Sequence, residues 1–457
     1  MRSSYEGDFD FTKYLENVVD AETILYIGHV TGVKGLEIQS EGPRAVIGEI
    51  CTIKLPDGST LLAEVVGLDE KIVKLTAFGD TKGIEIGCEV IGSGNTLQVP
   101  VGKNLIGRVI DATGHAADGK GEIVPESYYP AIASAPDPMT RLPIERRVTT
   151  GLKAIDSLLT IGKGQRIGIF AGSGVGKSTL LGSIARNADA DINVIGLIGE
   201  RGREVLDFIN DSLGEEGMKK SVVVVATGDK PAICRVRAAY VCTAIAEYFR
   251  DQGKDVILMV DNVTRFAMAQ REIGTSNGEL PIQKGYPPSV FDMLPKLMER
   301  TGNNDKGTIT AFYNVLVDGD DLNEPITDAA RGILDGHIVL SRKLAQEYHY
   351  PAIDVLASIS RLADDVSGEA TTDAAGKIRT LMAVYQRNET LISTGMYEKG
   401  RSPQIDAAID KHEEIEEFLK QKKYASSSIK DTLDQLSAIS GIEIPEEEYA
   451  ERPLAKK

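Results

Sequence analysis

A chain of 457 residues with 42% apolar and 26% charged side chains exceeds what one hydrophobic core supports, since cores stop growing near roughly 250–300 residues. Its net charge of −17 argues against nucleic acid as the main partner, because Lys and Arg must replace the counterions condensed on a polyphosphate backbone. The acidic start of the sequence lacks the apolar stretch and small-residue cleavage site of a secretory signal, no apolar run is long enough to cross a bilayer, and Cys51, Cys88, Cys234 and Cys242 show neither a disulfide framework nor zinc-ligand spacing, so a cytoplasmic protein with reduced, structural thiols is expected.

Between about residues 23 and 97, the β-rich runs TILYIGHV, GEICTIKL, LLAEVVGL and KIVKLTAF are separated by GP, PDG and GD turns. This pattern predicts a small antiparallel barrel or sandwich. The Gly- and Pro-rich stretch that follows, from VPVGKNLIGRV to DPMTRLPI, reads as a structured connector. From Arg166 onward, the near-continuous apolar runs RIGIF, NVIGLIG, SVVVVA, VILMV, TITAFYNVLV and HIVLS alternate with helix-like segments, predicting a parallel sheet buried on both faces. Beyond about Asp364 the strand signal stops, and Ile415, Phe418 and Leu419, then Ile429, Leu433 and Leu436, recur at helical spacing. The predicted division is therefore residues 1–97, 98–363 and 364–457.

The chemistry concentrates in the second segment. An apolar strand runs into Gly172, Ser173, Gly174, Val175 and Gly176, and a helix opens at Lys177, Ser178 and Thr179. Glycines at these positions let backbone N–H groups face a phosphate, and the helix start adds positive partial charge. Lys177 is expected to reach the β and γ phosphates of ATP, and Ser178 to ligate Mg2+ through its hydroxyl. Ala171 stands where the strict motif has Gly, which leaves the mechanism unchanged. Asp261 closes VILMVD at a strand tip, where open α/β sheets place their ligands, and is assigned to the magnesium shell. Glu200 closes NVIGLIGE and is assigned to orienting or polarising the attacking water. Either acid alone would read equally well as a helix cap or surface charge; two of them following a phosphate loop favour the chemical reading. The five histidines lack ligand spacing, the Gly/Pro-rich stretch at 278–291 reads as a functional loop between helices, and KHEEIEEFLKQKK at 411–423 reads as a solvated helix face. The C-terminal helices are expected to present a partner surface rather than to build the site.

AGSGVGKSTLL, GERGREV at 199–205, SVVVVATGDKP, RFAMAQREIG, GYPPSVF, LDGHIVLSR and HYPAID together resemble the flagellum-specific ATPase of the type III protein-export apparatus. The similarity extends to injectisome ATPases and, more distantly, to catalytic subunits of rotary ATP synthases, and covers about residues 22–410. It implies an α/β fold: a RecA-like P-loop ATPase core with an N-terminal β-barrel and a C-terminal helical domain, assembled as a homohexamer with ATP between subunits. It also implies that Glu200 is the catalytic carboxylate, that Arg361 in SISR is an arginine finger reaching the neighbour's site, and that Tyr350 in HYPAID packs on adenine. The implied partners are export stator or regulator and central stalk proteins, export-gate membrane proteins and chaperone–substrate complexes, with only peripheral contact at the inner face of the cytoplasmic membrane. Asn262 stands where that family usually carries Ser, and GELP at 278–281 where it usually has GEPP; the set Lys177, Glu200, Asp261 and Arg361 is complete. An injectisome ATPase and a rotary-synthase catalytic subunit remain the alternatives. A hexameric RNA translocase is opposed by the acidic charge and by the lack of an aromatic and basic set in the first domain.

Overall fold

The computed structural model describes residues 25–451 except 318 and 320, so the leading segment expected ahead of the first domain lies outside the described residues. The chain forms two compact units that part between Thr96 and Leu97.

Among the described residues, six strands make the first unit: β1 (Ile27–Lys34), β2 (Glu37–Glu41), β3 (Glu49–Lys54), β4 (Thr60–Asp69), β5 (Ile72–Ala77) and β6 (Glu89–Thr96). They close in the order β1-β2-β5-β4-β3-β6, every pairing antiparallel, which settles barrel against sandwich. Closure leaves no exposed strand edge. Alternation along the strands turns Val30, Ile38, Cys51, Ile53, Val65, Leu75 and Val90 into the barrel interior. Strands β2 and β6 carry no apolar run, as EIQSE and EVIGSGNT show, and sequence periodicity passes over them.

The second unit is built on an eight-stranded sheet: β7 (Val109–Ile110), β8 (Arg166–Ala171), β9 (Ile192–Ile198), β10 (Ser221–Ala226), β11 (Asp255–Asp261), β12 (Thr308–Leu316), β13 (Gly336–Leu340) and β14 (Ile353–Ser360). Their spatial order is β14-β13-β8-β12-β11-β9-β10-β7, and all neighbours are parallel except the β13–β14 pair. The connector thus does more than link, since its Val109–Ile110 extends the sheet beside β10. Helices α1 (Lys177–Asn187), α2 (Ala232–Asp251) and α3 (Val263–Ser276) follow strands of this sheet, and α4 (Pro288–Met298) follows α3, so the stretch at 278–291 is loop only as far as Pro287. Both faces of the sheet are covered, which is why all seven residues of β9 are buried and apolar runs predict these strands. Strand β8 lies between β12 and β13, while β9, next in the chain, sits two strands beyond β12. Such a change of strand order opens a crevice at the carboxyl ends of the strands.

Three long helices complete the unit: α5 (Glu369–Ser393), α6 (Pro403–Leu419) and α7 (Ile429–Ser440). Their buried residues Ala374, Ile378, Ile415, Phe418, Leu433 and Leu436 join Ile155, Leu158 and Ile169 in one continuous core. The closing segment ties the helices down. Glu448 accepts from the Ala370 and Thr371 N–H groups at 3.0 and 2.8 Å and from the Thr371 hydroxyl at 2.6 Å, capping the start of α5. Nearby, Lys163 pairs with Asp255 at 2.9 Å and Glu451 at 3.2 Å. All four cysteines are buried free thiols, and burial pushes Cys51, Cys234 and Cys242 up to about 12, far from the reactive thiolate range. No helix among the described residues is long and apolar enough to cross a membrane.

Candidate active site

Strand β8 ends at Ala171, and the chain turns through residues 172–176 before entering α1 at Lys177. Gly174 and Gly176 hold φ values of +81° and +94°, a left-handed conformation that costs glycine nothing because it lacks Cβ. No side chain caps α1, so its first N–H groups are left for a ligand at the positive end of the helix dipole. Ser178 is exposed at this end, and Val175 in the loop is buried.

Lys177 joins the loop to two acids. Its Nζ lies 2.7 Å from Asp261 Oδ1 at the tip of β11 and 3.5 Å from Glu200 Oε1, two residues beyond β9. The intervening strand β12 places Asn314 opposite Asp261, and the Asn314 amide donates to Asp261 Oδ1 at 2.7 Å. Asn314 is fully buried, and its Oδ1 has no hydrogen-bond donor among the described residues. Asn262, immediately after Asp261, donates its amide to Glu200 Oε1 at 3.0 Å while its Oδ1 accepts the Arg265 N–H at 2.7 Å. The Arg265 stem packs on Gly199, so a Cβ there would meet Arg265 Cβ at 2.8 Å.

These contacts set the charges. Burial pushes the Glu200 carboxyl up to about 7; Lys177 opposes the rise, while Asp261 and a hydrogen bond with Glu204 add to it. Burial likewise disfavours the Lys177 ammonium, but Asp261 and Glu200 outweigh it and hold the lysine above its ordinary range. Lys177 therefore stays cationic through neutral pH, while Glu200 titrates near neutrality. A group with that proton affinity is suited to general base work at pH 7.

On the far side of the loop a cavity of about 1070 Å3 extends between Val175, Gly176, Tyr350, Phe418 and Gln421. The Tyr350 ring lies 3.4 Å from where a Gly176 Cβ would stand. Gln421 fastens this wall: its N–H donates to the Tyr350 carbonyl at 2.8 Å, its side-chain oxygen accepts the Lys153 N–H at 3.1 Å, and its amide donates to the Gly151 carbonyl at 2.7 Å. Beneath Tyr350, buried His349 sits with Nδ1 3.0 Å from Glu416, and this contact keeps the Glu416 carboxyl below its usual range. Exposed Glu413, Glu414, Glu417 and Lys420 bear out the solvated face expected at 411–423, while the same segment also lines this cavity. The turn of α6 that buries Ile415, Phe418 and Leu419 brings residues 414–423 onto the wall of the cavity.

The structure thus brings together residues 172–179, Lys177, Glu200, Asp261 and Tyr350. It does not bring Arg361 to them. Arg361 follows β14, whose Ser360 pairs with Gly336 at the amino end of β13; its N–H donates to the Asp335 carbonyl at 3.0 Å, and Asp335 also binds Arg166 at the start of β8. Arg361 therefore lies at the opposite end of β8 from the phosphate loop, exposed, with its guanidinium on the Arg331 carbonyl at 3.3 Å. Sequence reasoning noted Asn262 only as a departure from the family pattern and missed Asn314, Arg265 and Gln421. For Asn262 the available signal was an amide directly after a strand-tip acid; the other three carry none that spacing reveals.

Comparison with known proteins places this arrangement. The ATP synthase alpha/beta family nucleotide-binding domain matches residues 151–360, the beta-barrel domain of the same family matches 30–94, and the T3SS EscN ATPase C-terminal domain matches 368–438. The flagellum-specific ATP synthase of Treponema pallidum is 55% identical over 433 residues, covering 94% of this chain and 97% of that protein. The assembled ATPase EscN from the enteropathogenic E. coli type III secretion system superposes with a TM-score of 0.86 at 44% identity, covering 90% of this chain and 100% of that one. The same ATPase in complex with its central stalk EscO gives 0.85 at 44% identity, with the same coverage. With identity of this extent running through barrel, nucleotide-binding domain and C-terminal helices, the chain belongs to the ATP synthase alpha/beta family, in the branch that holds the flagellum-specific and type III secretion ATPases.

Proposed function

We propose that this chain hydrolyses ATP for a flagellar type III protein-export apparatus, as one subunit of a homohexameric ring. One observation carries the catalytic reading: Lys177 stands at the mouth of the phosphate loop between Glu200 and Asp261, at 3.5 and 2.7 Å. In this reading the backbone of 172–179 cradles the triphosphate, and Lys177 turns its charge from the carboxylates to the β and γ phosphates. The Ser178 hydroxyl and the Asp261 carboxylate are hard oxygen donors that fit Mg2+, and they would hold it. When bound, that ion neutralises charge on the phosphates. Glu200 takes a proton from the attacking water or orients it, Tyr350 packs on adenine, and Arg361 completes the site of the neighbouring subunit.

In this reading residues 1–97 are a barrel domain with a short leading segment, 98–363 an ATPase domain with its connector and 364–457 a helical domain, in keeping with the family matches at 30–94, 151–360 and 368–438. By analogy with the EscN–EscO complex, a central stalk is a partner. The further partners of this reading are an export stator or regulator, export-gate membrane proteins and chaperone–substrate complexes, met at the cytoplasmic side of the membrane.

A ring with sites shared between subunits makes a direct prediction. Specific ATPase activity of the purified chain should rise cooperatively with its own concentration, and activity independent of concentration down to the monomer would overturn the shared-site reading. Lys177→Ala should abolish productive ATP binding and with it turnover, the lost charge-assisted contact to phosphate alone, at roughly 1.5–3 kcal/mol, weakening affinity by up to about 10²-fold; titration with a fluorescent ATP analogue, beside an ATPase assay, measures it. A second reading, an injectisome ATPase, has the C-terminal match to EscN in its favour. Neighbouring genes separate the two.

A further inference from the structure

We propose that Asn262 is a positioning residue for Glu200, holding the carboxylate in place through a hydrogen bond from its side-chain amide; the inference rests on Glu200 being the water-activating group. Asn262 is 1% exposed and stands at the junction of β11 and α3. Its Oδ1 caps α3 by accepting the Arg265 N–H at 2.7 Å. The amide group is planar, so fixing one end by the cap also fixes the other. That other end, Nδ2, meets Glu200 Oε1 at 3.0 Å. Strands β9 and β11 are neighbours, with Leu197 opposite Asp261, so the turn carrying Glu200 runs beside the start of α3.

The remaining groups facing Glu200 cannot do this work. Lys177, 3.5 Å from the same oxygen, is the cation that turns to the phosphates in the reading above. Glu204 and Asp261 are acids that disfavour the Glu200 carboxylate, and Arg201 is engaged with Glu204 at 3.2 Å. Asn262 alone among these is a neutral donor anchored to a strand and a helix. Its bond to Glu200 does not pass through Lys177, so it does not require the lysine to stay on the carboxylates.

The two ends of the amide can be separated by substitution. A serine hydroxyl caps a helix as well as asparagine does, but its oxygen sits one bond nearer the backbone and falls short of Glu200. In the full chain, Asn262→Ser should keep the parental Tm, while Asn262→Ala should lower it by a few degrees through loss of the cap. Both should lose about 10-fold in kcat, with affinity for a fluorescent ATP analogue changed by less than about twofold, as expected for one lost hydrogen bond felt only in turnover. Parental kcat in Asn262→Ser would overturn the proposal, and so would kcat that follows Tm or falls in step with ATP affinity. If Asn262→Ser is unstable, Asn262→Asp decides: it keeps the volume and the cap oxygen but presents an oxygen to Glu200, and parental kcat there overturns the proposal equally. Glu200→Gln keeps the two readings apart. Parental turnover in that variant removes the role of Glu200 itself, whereas an inactive Glu200→Gln beside a fully active Asn262→Ser removes only the role of Asn262.

Discussion

Glu200→Gln is expected to bind ATP as tightly as the parent chain and to hydrolyse it at least about 10³-fold more slowly, within the range that positioned acid–base groups contribute. The amide keeps the size of the side chain and its contact with Asn262, so the cavity and loop are undisturbed. What it removes is the ability to take a proton. Single-turnover phosphate release with enzyme in excess measures the chemical step, and hydrolysis at the parental rate would end the assignment. The pH profile gives an independent reading. Burial raises the Glu200 carboxyl to about 7, and only its ionised form can act as a base, so kcat/KM of the parent should fall as pH drops through about 7. An unperturbed glutamate would place that fall near its ordinary value of about 4.3. In Glu200→Gln the residual rate should lose this limb, because no carboxyl remains at that position to protonate.

Why the acids were legible in the sequence while the amides beside them were not follows from what each depends on. Glu200 and Asp261 come right after apolar runs that can only be buried parallel strands, and the carboxyl ends of such strands face a ligand crevice whatever the strand order. Asn314 depends on strand order. It lies in the middle of TITAFYNVLV, and only the pairing of β12 with β11 sets it opposite Asp261. Long-range packing also decided the cavity wall: residues 414–423 are more than 60 positions beyond Tyr350 in sequence, and helical periodicity shows that α6 has a buried side without naming what covers it. Among the strands, those missed are short, polar or at an edge. β7 has two residues, β2 and β6 carry Glu, Ser, Gly or Asn, and β14 is the antiparallel edge whose IDVLASIS is only half buried. The barrel's closure, too, is a property of pairing between β1 and β6, which no local run encodes.

Arg361→Ala is expected to leave ATP binding nearly intact and to cut turnover by about 10³-fold or more, the scale on which an arginine supplied to a transferring phosphoryl group acts. Within its own chain Arg361 lies at the end of β8 remote from the phosphate loop, so a role in hydrolysis must be played across a subunit boundary. Its exposure leaves the guanidinium accessible to a neighbour, and its bond to the Arg331 carbonyl is a long one at 3.3 Å. Arginine suits the task because its planar fork meets two phosphate oxygens at once, where lysine offers a hydrated point charge; Arg361→Lys should therefore recover only a small part of the loss. Mixing gives the decisive measurement. In rings assembled from Arg361→Ala and Lys177→Ala subunits, some interfaces join an intact phosphate loop on one side to an intact arginine on the other. Those interfaces should hydrolyse ATP although neither parent does, with activity passing through a maximum as the ratio is varied. Rings shown to be mixed yet inactive at every ratio would leave two explanations: an arginine that does not act in trans, or turnover that requires every site at once. Single-turnover hydrolysis with enzyme in excess separates them, because one competent interface then needs no help from the others, and silence there would place the arginine outside the reaction.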